Sequence, residues 1–194
     1  PLPNPVLDYL LSRRSVSVKK LEEPGPSEPE LLQILRVASR VPDHKKMAPW
    51  RFHVFDKAAQ AKLGDRWAEL YAERERGNPD VMEKHIEFER ERPQRAPLLI
   101  AVVSKTAFGK APIWEQQLSA GAACMNLMHA AHALGYAANW LSEWPNFDDT
   151  VRADFGCEKP EDQIAGFIYI GTKNEDPKER RRPDKKDVVS YYTA

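Results

Sequence analysis

Residues 115–134 have a long helical pattern that is apolar on nearly every side, and this segment limits the possible folds more than any other. Its apolar members are Leu118, Ala122, Cys124, Met125, Leu127, Met128 and Ala131. A helix of this kind has to be covered on most of its surface. Residues 119–123 are all small, and Gly121 among them lets another backbone or a flat ligand approach closely. The sequence therefore predicts a layered fold built around one deeply buried helix.

Four shorter segments have the pattern of strands. Residues 98–103 form a continuous apolar run with β-branched members, which is typical of a central buried strand. Residues 164–170 predict a second buried strand, residues 51–55 alternate polar and apolar side chains, and residues 136–142 predict a short strand. These segments predict a central sheet packed against the long helix.

Start signals predict the smaller helices. Asn4 before Pro5, and Ser27 three residues before Glu30, are typical helix N-termini. Asn146 is predicted to cap a helix over residues 147–155. The resulting order is α, α, β, α, α, β, α, β, α, β and a tail whose last residues favour a strand. This order predicts the α+β class.

Two stretches concentrate the charge. Residues 65–95 predict two solvated helices, broken at 77–79, that form a charged outer cover. Residues 173–194 predict a basic tail, with six basic and two acidic residues between Lys178 and Lys186. We expect residues 1–194 to form one domain, because a chain of this size buries roughly 70% of its unfolded surface.

Composition and charge exclude several classes of function. Lys plus Arg is 29 and Asp plus Glu is 29, so the formal net charge is zero, which disfavours a nucleic-acid partner. No apolar run approaches the roughly 18 residues of a membrane span, so no membrane partner is expected. Residues 1–4 lack the pattern of a secretory leader. Two isolated cysteines, Cys124 and Cys157, fit a reducing cytoplasmic setting.

Four clusters could carry chemistry. Two of them, the Arg13-Arg14-Ser15 segment and the Gly171-Thr172 strand end before the basic tail, suit a phosphate. The ionisable turn at residues 40–46 is a stiff loop that presents cations beside Trp50, and such loops often carry sites. Trp140 at a strand end could be a platform for a planar ring. Each also has a structural interpretation: a cation-rich helix end, a polar turn, a core aromatic residue or a solvated tail.

A metal site is not expected. His129 and His132 are three apart on the long helix, but no carboxylate of suitable spacing joins them. Cys124 lies in the apolar part of the same helix, and Cys157 follows Gly156, so both are predicted to be structural thiols.

The order of the motifs is more specific than any one of them. Arg13-Arg14-Ser15 precedes an Arg-x-Pro-Asp-His-Lys-x-x-x-Pro-Trp-x-Phe motif that starts at Arg40, and an Arg-Ala-Pro motif precedes the first buried strand. Trp114-Glu115-Gln116, Gly135-Tyr136, Trp140-x-Ser142, Ala153-x-Phe155-Gly156 and residues 166–172 follow. Over residues 5–172 the chain resembles the FMN-dependent nitroreductase family, in its compact bacterial branch.

The resemblance implies a nitroreductase-like α+β fold, with a central, mostly antiparallel sheet flanked by helices. It also implies an obligate homodimer with FMN sites at the subunit interface. It assigns the cofactor to Arg13, Arg14, Ser15, Arg40, His44, Trp140, Leu141, Ser142, Gly171 and one of Arg181 and Arg182, with Arg40 and His44 coming from the partner subunit. It assigns the nicotinamide co-substrate to Ala130, Ala131, His132, Ala133, Leu134 and Gly135.

The resemblance also implies the reaction. NAD(P)H reduces the flavin, and a nitroaromatic, quinone or similar electron-deficient acceptor is then reduced, with no side chain acting as nucleophile. Three positions depart from the pattern of many relatives: Ser17 replaces a cation, and Lys46 and Ala48 replace Asn and Gln. These departures leave open a flavin-binding sensor without nitroreductase turnover. A flavin-modifying function also remains open, because the resemblance includes relatives of the same fold that consume or cleave flavin.

Overall fold

The structure is a computed structural model that describes residues 4–192. The expected absence of a leader, and the end of the predicted tail, depend on residues 1–3 and 193–194, which lie outside the described residues. The helices are α1 (Pro5–Ser12), α2 (Glu28–Ala38), α3 (Lys57–Arg74), α4 (Glu83–Glu91), α5 (Ile113–Ala133), α6 (Asp149–Asp154) and α7 (Lys185–Val188). The strands are β1 (Leu21–Glu22), β2 (Trp50–Phe55), β3 (Leu98–Ser104), β4 (Ala137–Leu141) and β5 (Gln163–Lys173).

The strands form one sheet centred on β5. β3 pairs with β5 along one edge and with β2 on its other side. β4 pairs with the opposite edge of β5, and β1 pairs with the end of β5 at Thr172 and Lys173. All of these pairs are antiparallel, so the predicted α+β class with a mostly antiparallel sheet is confirmed. The short strand β1 was not predicted.

β3 is buried along its whole length because both faces of the sheet are covered. Leu99, Ala101 and Val103 join a core that is shared with α3 and α6. Leu98, Ile100 and Val102 join a second core, formed with α2 and α5. The continuous apolar run of this strand therefore follows from its position between two layers of helices.

The long helix α5 is buried against the sheet and α2, as its composition predicts. Ala120, Ala123, Cys124, Leu127 and Ala131 are fully inaccessible. One stripe of the helix stays uncovered, and on it Trp114 is 67% and Leu118 54% exposed.

The predicted charged cover consists of α3 and α4, and it is less solvated than the sequence suggests. Trp67 and Leu70 of α3 are buried in the core. Glu89 and Arg92 are buried as well, although the sequence places them in a stretch predicted to be solvated. Their burial is possible because the two side chains pair with each other.

Of three local predictions, one is confirmed and two are wrong. Asn4 caps α1 as predicted, with its side chain accepting from the Val6 and Leu7 amides. The prediction that Asn146 caps the sixth helix is wrong: Asp148 caps it, and Asn146 is buried, donating to the carbonyl of Ile164 at 3.0 Å. The strand predicted at the chain end is also wrong, since α7 is followed by exposed residues that pair with no strand up to residue 192.

Candidate functional site

The Arg13-Arg14-Ser15 segment lies where α1 ends and the chain turns along β4. The Val16 amide donates to the carbonyl of Ala138 at 3.2 Å, and Asn139 donates to the carbonyl of Val16 at 2.7 Å. Val16 itself is buried in the core. These contacts fix the two arginines beside the first residues of β4, while Ser15 remains exposed.

A cavity of about 460 Å³ opens beside this segment. Its walls come from α1, the end of α5, the turn before β4, the end of β5 and the tail. The lining residues are Tyr9, Ser12, Arg13, Arg14, Val16, His132, Gly135, Tyr136, Ala137, Lys173, Asp176, Pro177 and Glu179. We call it the cationic cavity because Arg13, Arg14 and Lys173 line it.

Two nitrogen atoms of cavity-lining residues are buried without a hydrogen-bond partner among the described residues. They are Nη1 of Arg13 and Nε2 of His132. Buried polar atoms in native proteins are nearly always paired, and an exception calls for a specific reason, such as a bound ligand. Together with the charge of Arg14 and Lys173, this arrangement suits an anion with several acceptor oxygens.

His132 is held in its neutral form in this cationic setting. Burial lowers its pKa, and the charges of Arg13 and Lys173 act in the same direction. The carbonyl of Tyr136, which lies 3.1 Å from Nδ1, opposes them.

The C-terminal tail contacts this site through Lys178 and Glu179, and not through the predicted Arg181 or Arg182. Arg14 donates to the carbonyl of Lys178, and its Nη1 lies 3.4 Å from the Glu179 carboxylate. Arg182 lies 3.2 Å from the same carboxylate, and both Arg181 and Arg182 are exposed and do not line the cavity.

Lys173, at the end of β5, does line the cavity and was missed by the sequence analysis. Its position directly after Gly171-Thr172 was the available signal. Gly171 is explained by packing, because a Cβ there would lie 2.7 Å from the Pro97 ring and 3.0 Å from the carbonyl of Glu22.

Trp140 lies near the far end of β4, where the predicted ring-binding segment is placed. Its indole nitrogen donates to the carbonyl of Ala165 at 3.0 Å. Ala165 is the extra residue of a bulge in β5, between the positions that pair with Val102 and Val103. Gly166 leaves room for the indole, since a Cβ there would overlap it. Trp140 is 36% exposed, Leu141 half-buried and Ser142 exposed.

The ionisable turn after α2 is strained. Lys45, Lys46 and Ala48 have φ angles of 64°, 55° and 44°, in the left-handed region that other residues seldom occupy. The Asp43 carboxylate holds the turn by accepting from the amides of Met47 at 2.9 Å and Ala48 at 2.8 Å. Such strain costs about 1–3 kcal/mol per residue and concentrates at functional sites.

His44 leaves this turn toward α5, where its Nδ1 lies 2.6 Å from the carboxylate of Glu115. Both residues line a second cavity of about 320 Å³, together with Pro42, Leu118, Ser119 and Ala122. Arg40 is exposed, and its carbonyl accepts from Asn126 at 2.8 Å. Neither Arg40 nor His44 lines the cationic cavity within this chain. Glu115 was missed as a contact of His44, although it belongs to a motif that supports the resemblance.

The segment predicted to bind nicotinamide is divided between two cavities. Ala130, Ala133 and Leu134 line a third cavity with Tyr9 and His129, whereas His132 and Gly135 line the cationic cavity. Ala131 is fully buried. The described geometry therefore gives this segment no groove of its own.

The remaining sequence predictions concern metals, membranes and thiols. Residues 4–192 contain no cluster of three or more His, Cys, Asp or Glu side chains able to hold a metal ion. None of the described helices is long and apolar enough to span a membrane. Burial raises the pKa of the Cys124 thiol to about 12, which agrees with an inert core position.

Comparison with known proteins gives a consistent result. The model of the Nitroreductase family matches residues 10–172. The protein named "Putative NAD(P)H nitroreductase YdjA" from Escherichia coli (strain K12) is 38% identical over 188 residues, which cover 96% of this chain and 98% of that protein. A protein from Haemophilus influenzae named "Putative NAD(P)H nitroreductase" is 36% identical, over 95% of this chain and 98% of its own length.

Solved structures share the fold. A nitroreductase-like family protein from Bacillus cereus superposes with a TM-score of 0.82 at 20% identity, covering 99% of this chain and 98% of its own. A nitroreductase with bound FMN from Bacteroides fragilis superposes with a TM-score of 0.69 at 22% identity, covering 98% of this chain and all of its own.

Proposed function

This chain belongs to the nitroreductase family, and on that premise we propose that it is an FMN-dependent oxidoreductase that carries a hydride from NAD(P)H to an electron-deficient acceptor. Nitroaromatic compounds and quinones are the acceptor classes we propose. When bound, the flavin supplies the redox chemistry, and the protein contributes binding, orientation and electrostatics.

The cationic cavity carries this proposal. FMN has a dianionic phosphate, and the cavity offers it the unpaired Nη1 of Arg13 and the charges of Arg14 and Lys173. Arginine presents its donors in a fork that matches phosphate oxygens. We therefore assign the phosphate end of the cofactor to this cavity. Either Arg181 or Arg182 reaches the phosphate only if Glu179 releases the tail, so Lys173 replaces them in our proposal.

The ring of the cofactor is proposed to lie near the exposed end of β4. Trp140 is fixed by its hydrogen bond to Ala165 and by the space above Gly166, so that it presents a rigid aromatic surface. Leu141 and Ser142 continue along the same strand end. Ser17, which stands where many relatives carry a cation, is exposed, and we expect a different group to face the flavin edge.

A homodimer completes the proposed site. α1 has no buried residue, and its Leu11 is 79% exposed. Other apolar side chains on α1 and on the stripe of α5 are also exposed. Surfaces of this kind are covered in a stable protein. In a symmetric dimer, the strained turn with Arg40 and His44 would reach the partner's site. Light scattering on the purified protein tests this, and a monomeric mass would contradict it.

The nicotinamide co-substrate has no single groove in this chain. The segment Ala130–Gly135 remains our proposed contact, through the part that lines the third cavity. We propose a cytoplasmic location, in agreement with two free cysteines.

The first experiment is the visible spectrum of the purified protein, followed by NADH or NADPH without air. We expect the two flavin absorption bands, and their bleaching on addition of the reductant. Recovery of the bands with a nitroaromatic or a quinone then identifies the acceptor class. Bands that do not bleach would favour a flavin-binding sensor. A colourless protein that also refuses added FMN would contradict the proposal altogether.

A further inference from the structure

The ring of His132 has a defined tautomer. Its Nδ1 lies 3.1 Å from the carbonyl of Tyr136, and a carbonyl oxygen can only accept a hydrogen bond. Nδ1 therefore carries a proton. In the neutral ring, Nε2 then has only a lone pair, and it is this buried atom that has no partner among the described residues.

The groups around His132 come from five parts of the fold. Arg13 and Arg14 follow α1, Tyr9 belongs to α1, and His129 lies one turn earlier on α5. Lys173 ends β5, and Asp176 and Glu179 belong to the tail. The nearest cations disfavour a further positive charge while the cavity holds no anion. A bound anion offsets these positive charges and so favours the protonated form of His132.

A phosphate dianion and a lone pair cannot form a hydrogen bond, because neither has a proton to donate. We propose that FMN binds in the cationic cavity together with one proton, which bridges Nε2 of His132 and a phosphate oxygen. The proton comes from solvent, and it rests either on the imidazole or on the phosphate. In both cases the complex holds one proton more than its separated components. This inference rests on the proposed function, since it places the FMN phosphate in this cavity.

The coupling has a measurable sign. When binding takes up a proton, affinity falls as pH rises, by up to about tenfold per pH unit. We expect the affinity for FMN to fall between pH 6.5 and pH 8. Riboflavin has the same ring but no phosphate, so we expect its weaker binding to be independent of pH over this range.

The test is a fluorescence titration of the flavin-free full-length protein with FMN and with riboflavin, at several pH values. Three proteins are compared: the wild type, His132→Gln and the control His129→Gln. Glutamine at 132 has an amide donor that needs no added proton, so we expect the affinity of this variant for FMN not to fall between pH 6.5 and pH 8. His129 pairs with Tyr9 at 2.8 Å, and its replacement is expected to keep the wild-type slope. The second proton of the phosphate, with a pKa near 6, affects all three proteins equally.

Calorimetry supplies a measurement that needs no variant. FMN binding by the wild type at pH 7.5, in two buffers of different ionisation enthalpy, should show net proton uptake. Binding of FMN without proton uptake, or an equal slope in the wild type and His132→Gln, would overturn the inference while leaving the proposed function intact. If the protein binds neither flavin, the proposed function itself fails, and this inference fails with it.

Discussion

Two clusters of buried charge in this protein differ in one respect, namely whether the chain supplies the counter-charge. At the C-terminal end of α4, Arg92 donates two hydrogen bonds to Glu89, at 2.5 and 2.6 Å, and also forms an ion pair with Glu143. Trp144 donates to Glu89 at 2.7 Å. In the cationic cavity, by contrast, Arg13 and His132 each keep a buried nitrogen without a partner among the described residues.

We infer from this difference that the Arg92 cluster stabilises the fold, whereas the cationic cavity binds a ligand. Although burial opposes its charge, the hydrogen bonds to Glu89 and Glu143 raise the pKa of Arg92, so the charge of this side chain is satisfied within the chain. This pairing can hold α4 to the segment that follows β4, and Arg92 keeps no buried nitrogen without a partner among the described residues. The cationic cavity is incomplete, and we infer that a phosphate completes it. The four predictions below test this contrast.

The largest effect is expected from Arg92→Met. This change removes the cation that pairs with the buried carboxylate of Glu89, and loss of one member of a buried ion pair costs about 3–5 kcal/mol. Denaturant unfolding measures the loss. Arg90→Met is the control, because Arg90 lies on the same helix with exposed partners, Asp65 and Glu87. Equal stability of the two variants would show that the Arg92 cluster is not structural.

The second prediction concerns Arg13→Met, which we expect to weaken FMN binding with little change in the free energy of unfolding. A hydrogen bond to a charged group contributes about 1.5–3 kcal/mol, which is a loss of roughly 10- to 150-fold in affinity. Arg36→Met on the exposed face of α2 should change neither quantity. A large loss of stability in Arg13→Met, with FMN affinity retained, would reverse the roles assigned to the two clusters.

The third prediction is a pH dependence of stability. Burial lowers the pKa of His132, and of His53 and His129 as well. The unfolded chain binds these protons at higher pH than the folded protein, so the free energy of unfolding falls as pH drops below about 6.5. One such group contributes at most about 1.4 kcal/mol per pH unit. In unfolding experiments from pH 7 to pH 5.5 without flavin, His132→Gln should show a shallower decline. An unchanged slope would mean that His132 is not held neutral.

The smallest effect is expected from Glu179→Gln. This exposed carboxylate contacts Arg14 and Arg182, and it adds negative charge at the edge of the cavity. Its removal should strengthen FMN binding. We expect a gain of only about threefold, because interactions between exposed charges are weak. Titration at low and high salt checks this, since the gain should shrink as salt rises. Weaker binding would indicate that Glu179 helps to position Arg14.

Much of the fold could be predicted because it depends on local patterns. The apolar helix α5, the buried strand β3 and the cap at Asn4 each follow from neighbouring residues. Asn146 shows the limit of such patterns. As a candidate helix cap it competes with Asp148 nearby, and its hydrogen bond to Ile164 depends on the position of strand β5. The exposed leucines of α1 have a helical pattern, but this pattern does not reveal whether the covering surface belongs to the same subunit.

The candidate site was predictable only in part. The Arg13-Arg14 segment and Trp140 were found from motifs, and the structure places them at two ends of β4. Lys173 and Glu115 were missed, since a single charged residue has no periodic signal. Arg181 and Arg182 were proposed from the resemblance, and neither lines the cavity, since Arg182 pairs with Glu179 instead.

The sequence alone was enough to assign the class of fold and the buried layers, because burial of apolar surface is non-directional and follows from composition and period. The family followed from the order of the motifs, which resembles that of the nitroreductases. Only the tertiary structure decided which charges are paired. Coulombic and hydrogen-bond energies depend on distances of a few ångströms between elements far apart in the chain. That is why Arg92, in a stretch predicted to be solvated, is buried and satisfied, while Arg13 and His132 line one cavity and each keeps a buried nitrogen without a partner among the described residues.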